Sequence, residues 1–376
     1  MKILTIIGAR PQIIKAAALS RAIRSDYADR INEVILHTGQ HYDANMSQVF
    51  FDEMGIPEAD YNLNVGSGSH SRQTAAMIEG IAEVIEKEKP DWLVLYGDTN
   101  STLAGAIASV KLGIAVAHIE AGLRSFNKSM PEEINRITCD HCSTLLFSPT
   151  KAGVDNLAAE GFAIDATPPY SIDNPGVYHC GDVMYDNALY FSSIAEERSK
   201  ILEQLKVQKG DYVLATIHRD GNTDIPERLE SIFKAIISIS GEKKVILPLH
   251  PRTRKMIEKH PGDLVTAIHD SENILLLPPV SFLDMIMLEK HAQLIMTDSG
   301  GVQKESYFYH KACIILRPET EWVEIVDNGS AIICDADGGK IIETYEHFKN
   351  NPPKSFPPLY GDGRAAWFVC DKLLGQ

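Results

Sequence analysis

Short apolar runs alternate with helix-like segments along the whole chain, and this alternation limits the fold more than any other feature. Runs such as WLVLY at 92–96 and IAVAH at 114–118 are almost wholly apolar, which is typical of strands buried on both faces of a parallel sheet. Between such runs, the segment 73–88 carries apolar residues at helical spacing and ends before Pro90, as an amphipathic helix does. The sequence therefore predicts an α/β fold built on parallel sheets.

The predicted strands form two groups, which indicates two domains. The first group is 2–7, 33–37, 92–96, 114–118 and 144–148, and the second is 211–217, 244–249, 273–277, 292–297, 313–317 and 331–334. Residues 163–176 lie between the groups and have no periodic pattern, so we place the boundary near Gly181. Two α/β domains that face each other would put their strand ends at a cleft, where ligands usually bind.

The charge of the chain excludes some classes of partner. With a formal net charge of -15, its long-range field would repel nucleic acid and anionic membranes. No apolar run approaches the roughly 18 residues of a membrane span, and the N-terminus, MKILTIIGARPQ, becomes polar too soon for a signal peptide. We therefore expect a cytoplasmic protein, in which any anionic ligand is held by a local group of cations and backbone N–H donors.

Three carboxylates in the first half are candidates for proton transfer. Asp98 and Glu120 follow two consecutive predicted strands, and Glu132 lies in the next loop or the first turn of a helix. Because the loops after parallel strands open at the same edge of the sheet, the three acids should meet there. The alternative is that they cap helices and pair with Arg124 and Arg136.

The first half also contains a candidate anion site. Arg10 and Lys15 follow the first predicted strand, where Gly8 allows a tight turn and Pro11 suits the start of a helix. A helix N-terminus favours phosphate. The alternative is that Arg10 pairs with a neighbouring carboxylate.

A second candidate anion site is TDSGGVQKE at 297–305, which begins at the end of a predicted strand. Ser299 is a good helix N-cap, and Gly300 and Gly301 would leave backbone N–H groups open to a phosphate. Glu305, one turn later, could accept from both hydroxyls of a ribose. Two glycines early in a helix cost stability, which favours a ligand over the alternative of a helix packed tightly on its strand.

Two histidines follow other predicted strands of the second half. His218 lies at the carboxyl end of strand 211–217, where a ligand-binding or proton-transfer role is more common than a core position. His250 and Arg252 repeat this arrangement after the next strand and are weaker candidates.

With these residues placed, the chain resembles the non-hydrolysing UDP-N-acetylglucosamine 2-epimerase family over essentially its whole length. The motifs that carry the resemblance are GARPQ at 8–12, TGQH at 38–41, GDTNST at 97–102, HIEAGLRS at 118–125, PEEINR at 131–136, HR at 218–219, LPLHPR at 247–252, TDSGGVQKE at 297–305, TEWVE at 320–324 and YGDG at 360–363.

This resemblance implies a fold and a set of site residues. The fold is two Rossmann-like domains facing across a cleft, the glycosyltransferase B type, at 1–180 and 181–360, with a helix at 361–376 that crosses back onto the first domain. Asp98, Glu120, Glu132 and His218 map onto the catalytic groups. Arg10, Ser299, Gly300 and Glu305 map onto the UDP site, with Lys15 near the reacting centre, and we add Gly301, Arg136 and His250 as substrate-binding candidates.

The resemblance also implies a cytoplasmic homodimer that acts early in surface polysaccharide synthesis and needs neither NAD nor a metal ion. Its reaction would expel UDP from C1 while a base removes the C2 proton. UDP would then add back to the resulting 2-acetamidoglucal after protonation on the opposite face. Carboxylates must reach both faces of C2, and cations and N–H donors must stabilise the departing diphosphate.

The chain departs from the family pattern at two places, the first of which bears on the role of a family Glu and the second on the substrate. Family members commonly have a Glu in the run HRxEN, where this chain has Gly221. TEWVE at 320–324 replaces the TERPE that is usual in enzymes acting on UDP-N-acetylglucosamine. TEWVE, GARPQ and TGQHYDANMS at 38–47 resemble a branch acting on UDP-2,3-diacetamido-2,3-dideoxyglucuronate. Both substrates stay open, as does the allosteric substrate site of some relatives.

Three other functions stay open at this point. A glycosyltransferase of the same fold would bind a UDP-sugar similarly, although three acids in the first domain argue against it. A hydrolysing relative would release free N-acetylmannosamine and UDP. A UDP-sugar sensor would bind without chemistry.

Overall fold

The computed structural model describes residues 1–40, 58–260 and 264–375, and the chain divides into two compact units. The first unit is Met1–Asn187 with Pro358–Gln376, and the second is Ala188–Pro357. The predicted boundaries, 180 and 360, lie seven residues before Asn187 and three residues after Pro357. The first boundary falls inside the helix Val183–Arg198, so no loop marks it in the sequence. Residues 41–47 of the TGQHYDANMS motif lie outside the described residues, as does the last residue of the predicted terminal helix.

The first unit contains a parallel sheet of seven strands within the described residues, in the order β3-β2-β1-β4-β5-β6-β7. The strands are β1 (Lys2–Ile7), β2 (Asn32–His37), β3 (Tyr61–Asn62), β4 (Trp92–Tyr96), β5 (Ala115–Ile119), β6 (Leu145–Ser148) and β7 (Gly176–His179). Its helices are α1 (Arg10–Ala22), α2 (His70–Glu88), α3 (Asn100–Leu112), α4 (Pro131–His141), α5 (Lys151–Ala159), the first part of α6 (Val183–Arg198), and the C-terminal helix α16 (Ala365–Leu373).

The second unit contains a parallel sheet of six strands within the described residues, in the order β10-β9-β8-β11-β12-β13. The strands are β8 (Tyr212–Thr216), β9 (Lys244–Pro248), β10 (Ile274–Leu277), β11 (Leu294–Thr297), β12 (Ala312–Ile315) and β13 (Ala331–Ile333). Its helices are α7 (Ile201–Leu205), α8 (Asp220–Thr223), α9 (Pro226–Ser240), α10 (Pro251–Glu258), α11 (Leu264–His269), α12 (Phe282–His291), α13 (Gly300–Phe308), α14 (Val323–Asp327) and α15 (Gly338–Asn350).

The α/β class and the predicted strands are confirmed, with strand ends that differ by one or two residues. The predicted helix at 73–88 is the main part of α2, and its residues Met77, Ile81, Val84 and Ile85 are buried against the sheet, as expected from their spacing. The very short strand β3 was not predicted, because two residues carry no periodic pattern.

Each sheet has one point at which the strand order reverses. In the first unit β1 lies between β2 and β4, and in the second β8 lies between β9 and β11. At such a point the two central connections leave on opposite faces and open a crevice at the carboxyl ends of the strands. The loops after β1 and β4 lead to Arg10 and Asp98, and those after β8 and β11 lead to His218 and Ser299. Four of the predicted site residues, Arg10, Asp98, His218 and Ser299, therefore lie after strands that border a switch point, where parallel sheets usually bind ligands.

Candidate active site

Asp98 lies in the turn after β4, and the helix α4 holds it in two ways. Asn135 donates from Nδ2 to the backbone carbonyl of Asp98 at 2.9 Å, and Arg136 Nη2 lies 2.6 Å from Asp98 Oδ2. The pairing with Arg136 that the sequence left as an alternative is therefore present for this acid. Arg136 also donates from Nη1 to Glu133 at 2.8 Å, so the guanidinium is a fixed bridge between the helix and the turn.

Glu120 follows β5 and is held in an unusual conformation. Its φ angle is 76°, in the left-handed region that few residues other than glycine adopt, and only 7% of the residue is exposed. Its Oε2 forms an ion pair with Lys15 Nζ. Strained backbone of this kind is retained mainly at functional sites, so the pair is a strong candidate for chemistry.

Gly97 forms the floor under this ion pair. The β4–β5 register pairs Tyr96 with Ile119, which brings Gly97 beside Glu120. A Cβ atom on Gly97 would lie 3.0 Å from Lys15 Nζ and 3.1 Å from Glu120 Oε2, and the glycine has a φ of 63°. Only glycine meets both conditions without strain.

Glu132 and Glu133 lie side by side in the first turn of α4 but have different environments. Glu132 is exposed and lies one turn before Arg136, on the same face of the helix. Glu133 is buried and accepts from the backbone N–H groups of Ser125 and Phe126, each at 2.9 Å. Burial by itself would raise the pKa of Glu133, but these donors and Arg136 outweigh it and lower that pKa.

The Gly8–Lys15 segment reaches the same edge of the sheet. Arg10 is exposed at the first position of α1, and Lys15 contacts Glu120, so the predicted anion site and the acids of this unit adjoin. Gly8 was expected to allow a tight turn, but its reason is different. A Cβ atom there would lie 2.1 Å from Thr38 Oγ1 and 2.2 Å from Ser101 Oγ, so close packing excludes any side chain.

A buried charged network lies behind Glu120 in the first unit. His118 in β5 has no exposed surface, and its Nδ1 and Nε2 lie 2.7 Å from Asp140 Oδ1 and 2.8 Å from the Gly97 carbonyl oxygen. Asp140 also pairs with Arg124 at 2.7 Å. Burial alone would lower the pKa of His118, but the neighbouring Cys139 and Asp140 raise it well above the usual value. Arg124 thus pairs with Asp140 and not with any of the three candidate acids.

In the second unit, Asp298 orients His218. Asp298 is fully buried and accepts from the backbone N–H groups of His218 and Arg219 at 3.0–3.1 Å and from Asn222 Nδ2 at 3.1 Å. His218 Nδ1 lies 3.2 Å from Asp298 Oδ1. Burial by itself would raise the pKa of Asp298, but His218 and the other donors lower it. Because Nδ1 faces the carboxylate, Nε2 is the ring nitrogen that can meet a ligand.

His250 lies near His218, with ring centroids 6.1 Å apart. It is the N-cap of α10, and its Nδ1 accepts from the backbone N–H of Arg252 at 3.3 Å. Burial, followed by the charges of His218 and Arg252, lowers the pKa of His250. A neutral His250 at neutral pH can therefore donate from Nε2 to a ligand oxygen.

The glycines after Ser299 have open surroundings. Ser299 caps α13, as predicted, and accepts from Val302 N at 3.5 Å. A Cβ atom on Gly301 would meet only Ser299 Oγ at 3.8 Å, and one on Gly300 would meet only side-chain atoms at 3.8 Å. Tight packing of the helix, the alternative left by the sequence, therefore does not explain these glycines.

The side chains over Gly300 come from the TEWVE segment and the loop before it. Trp322 donates from Nε1 to the Gly300 carbonyl oxygen at 2.9 Å. Arg317 lies beside the same glycine and forms two hydrogen bonds with Glu321, at 3.0 and 3.1 Å. Trp322, which stands where the TERPE pattern has arginine, is thus part of the wall of the predicted diphosphate site.

Glu305 lies half-buried on α13 and interacts with a second carboxyl group. Glu289 on α12 is 1% exposed. Burial first, and then the charge of Glu305, raise the pKa of Glu289 well above its usual value. A protonated Glu289 can donate to Glu305 and leave that carboxylate ionised for a ligand.

Several residues of these sites were missed in the sequence. Gly97, Asn135 and Asp298 all lie within quoted motifs. Gly97 and Asp298 directly follow predicted strands, and that position is the signal that could have found them, whereas Asn135 lies on α4. His118 begins the quoted motif HIEAGLRS but also ends the apolar run IAVAH, as a core residue would, and Arg317 lies in a loop after another apolar run, so neither was named as a candidate.

Residues 1–40, 58–260 and 264–375 lack two features. No group of three or more His, Cys, Asp and Glu side chains there is arranged to hold a metal ion. No helix in those ranges has the length and apolar content needed to span a bilayer.

Two parallel α/β units with charged residues at their switch points place the chain in the doubly wound α/β class. The family model for UDP-N-acetylglucosamine 2-epimerase matches residues 24–374. The chain therefore belongs to this family.

Relatives support this assignment over the full length. The chain is 48% identical to a UDP-N-acetylglucosamine 2-epimerase homolog of Methanococcus maripaludis, over 99% of both chains. It is 45% identical to the UDP-2,3-diacetamido-2,3-dideoxy-D-glucuronate 2-epimerase of Pseudomonas aeruginosa, again over 99% of both. The crystal structure of Methanocaldococcus jannaschii UDP-GlcNAc 2-epimerase in complex with UDP-GlcNAc and UDP matches all of both chains, with a TM-score of 0.85 and 39% identity. The expected family and fold class are thus confirmed.

Proposed function

We propose that this protein is a non-hydrolysing UDP-N-acetylglucosamine 2-epimerase that interconverts UDP-N-acetylglucosamine and UDP-N-acetylmannosamine. The reaction eliminates UDP from C1 with loss of the C2 proton and adds UDP back to the 2-acetamidoglucal with inversion at C2. Family membership supports the overall reaction, and the sites described above support the roles of individual residues.

One observation carries the acid–base part of the proposal. Glu120 is held in a left-handed conformation, buried, and paired with Lys15 over Gly97. A carboxylate fixed in this way keeps one position, which general acid–base catalysis requires. The other candidate acids for the two faces of C2 are Asp98, which Arg136 fixes, and Glu132, which is exposed on α4.

We propose that the second unit binds the departing diphosphate. His218 presents Nε2 beside His250, and the N–H groups near Gly300 and Gly301 lie at the N-terminus of α13, which favours anions. Donors directed at developing charge are worth about 3–4 kcal/mol each when one is removed. We assign Glu305 to the ribose and Arg10 to the phosphates on the resemblance described above.

The test is incubation of the purified protein with UDP-N-acetylglucosamine alone in D₂O. We expect the C2 epimer to form, with deuterium at C2 of the product, as read by NMR. Retention of the original hydrogen would exclude the elimination route. Release of free N-acetylmannosamine and UDP would identify a hydrolysing enzyme, and no change would favour a glycosyltransferase or a sensor.

A second substrate is favoured by a specific observation. Trp322 contacts Gly300 where the TERPE pattern has arginine, and the relative that acts on the diacetamido uronic acid is 45% identical. The same elimination and re-addition would then invert C2 of UDP-2,3-diacetamido-2,3-dideoxyglucuronate. Parallel assays of both sugar nucleotides, with NMR readout of the C2 configuration, distinguish the two by kcat/KM.

We also propose, from the family resemblance, that the protein is a cytoplasmic homodimer that acts early in surface polysaccharide synthesis. Sedimentation equilibrium tests the dimer directly, because the chain has a mass of 41.6 kDa and a dimer has twice that mass. A species with the mass of one chain across the micromolar range would exclude it.

A further inference from the structure

His118 is a buried titratable group that the proposed reaction does not use, and its contacts define its charge. Its two ring nitrogens face Asp140 Oδ1 at 2.7 Å and the Gly97 carbonyl oxygen at 2.8 Å. A carbonyl oxygen can only accept, so Nε2 must carry a proton. Asp140 accepts from Gly122 N at 3.1 Å and pairs with Arg124 at 2.7 Å. A carboxylate paired with a guanidinium is ionised and can only accept, so Asp140 accepts from Nδ1 as well. His118 is therefore an imidazolium that donates on both sides.

The Gly97 side of this contact leads to the proposed catalytic pair. The space above the Cα atom of Gly97 is occupied by Lys15 Nζ and Glu120 Oε2, which would lie 3.0 and 3.1 Å from an added Cβ atom. A shift of the Gly97 peptide would therefore change its distance from both side chains of the ion pair. The hydrogen bond from His118 fixes that peptide from the opposite side.

Stability alone is a poor reason for this network. Beyond His118 and Asp140, Arg124 forms two hydrogen bonds of 2.7 Å with Glu160, and both the histidine and Asp140 have no exposed surface. Buried charged networks of this kind are often no more stabilising than apolar side chains of similar volume. Such networks fix the positions of their members, and the last member of this network is the Gly97 carbonyl group.

We propose that His118 is a positioning residue for proton transfer at C2. Through the bond from Nε2–H to the Gly97 carbonyl oxygen, it sets the place of Gly97 under the Lys15–Glu120 pair and thereby the place of the Glu120 carboxylate. This inference rests on the proposed function. If the wild-type protein does not epimerise either UDP-sugar, the proposed function fails first, and the test below applies only to an active wild type.

Two amide variants separate the two hydrogen bonds of His118. The amide nitrogen of Asn can take the place of Nδ1, so His118→Asn keeps the bond to Asp140 and loses the bond to Gly97. The amide nitrogen of Gln can take the place of Nε2, so His118→Gln keeps the bond to Gly97. We expect His118→Asn to lose about 100-fold in kcat, as misplacement of a reacting group by roughly 1 Å does. His118→Gln should retain about tenfold more activity than His118→Asn.

The control readouts are UDP affinity and thermal stability. Both variants should bind UDP with a Kd close to that of the wild type, because the proposed UDP contacts lie elsewhere, and both should lose similar stability. A purely structural role would make kcat per folded molecule equal in the two variants. Equal kcat values, whether both near wild type or both low, would overturn the proposal.

A measurement on the wild-type protein tests the charge of His118 directly. In protein labelled with ¹⁵N at histidine, the His118 signal, assigned by its absence from His118→Gln, should show both ring nitrogens protonated at neutral pH. A neutral ring with unprotonated Nε2 would contradict the contact with Gly97 and remove the basis of the proposal.

Discussion

Glu120 combines two features that a folding chain avoids without a reason. A left-handed φ of 76° in a residue other than glycine or asparagine is costly, and so is a carboxylate that is 7% exposed. Lys15 offsets the second cost by pairing with the carboxylate. This pairing does not relieve the strain of the left-handed backbone, which supports a role in chemistry.

The first prediction concerns this residue. Glu120→Gln should lower kcat by about 10²–10⁴-fold, the usual contribution of a general acid or base. It should leave the Kd for UDP within a small factor, because Glu120 is not among the groups proposed to bind UDP. Steady-state kinetics and calorimetric UDP titration measure the two effects. Glu83→Gln, an exposed position on α2, is the matched control, and near-normal turnover in Glu120→Gln would show that another group transfers the proton.

The second prediction tests the open surroundings of the glycine in α13. Gly301→Ala should keep or slightly raise the melting temperature, because alanine is better by up to about 1 kcal/mol in a helix and its Cβ would meet no close neighbour. The same methyl group should weaken UDP binding about tenfold, a loss of 1.4 kcal/mol, if a phosphate approaches the helix there. Gly68, which also has open surroundings, gives the control substitution. Unchanged UDP affinity in Gly301→Ala would remove the glycines from the proposed diphosphate site.

At the scale of elements, the C-terminal helix α16 is tied to the first unit by a carboxylate of α6. Asp186 accepts from the backbone N–H groups of Ala365 and Ala366 at 3.1 and 2.8 Å, so it caps a helix distant in sequence. Burial raises the pKa of Asp186 from 3.8 to about 6. The same contact that orders the helix is therefore sensitive to pH.

The third prediction follows from the sign of that shift. Because its folded-state pKa is raised, Asp186 binds a proton more tightly in the folded chain. Its contribution to stability is fully present below about pH 4 and is lost as pH rises through about 6. The melting temperature of Asp186→Asn should therefore not show this decrease between about pH 4 and pH 7. Asp29→Asn, at an exposed side chain, should behave like the wild type, and identical pH profiles for all three proteins would show that Asp186 keeps an ordinary pKa.

At the scale of the whole molecule, the first unit is assembled from two separate parts of the chain. The C-terminal part supplies α16, whose residues Val369, Cys370 and Leu373 are buried. Tyr27 donates to Asp371 at 2.6 Å. The second unit is continuous, from Ala188 to Pro357, so the two units should respond differently to loss of the C-terminus.

The fourth prediction is that deletion of residues 358–376 destabilises the first unit selectively. Burial of each Val or Leu side chain contributes about 1.5–3 kcal/mol, and the loss of several such side chains approaches the whole stability of a typical domain, about 5–15 kcal/mol. Differential scanning calorimetry should show one transition moved to lower temperature and another retained. A truncated protein that melts like the full chain would contradict the role of α16 as part of the first unit.

The sequence by itself was enough for much of the architecture and for the position of several candidate site residues. Apolar runs identified the strands, because a strand buried on both faces needs apolar side chains throughout. Asp98, Glu120, His218 and Ser299 were chosen because they lie in the loops after those strands. Parallel topology places such loops at one edge of their sheet. These are local consequences of hydrophobicity and chain direction, so local sequence contains them.

Only the tertiary structure decided which partners these residues take. Lys15 and Glu120, or His118 and Asp140, lie far apart in the chain, and the contacts between them depend on strand order and register. The positive φ of Glu120 and the space above Gly97 are likewise set by neighbouring strands. Pairing, strain and close approach depend on distances in three dimensions, and no spacing along the chain encodes them.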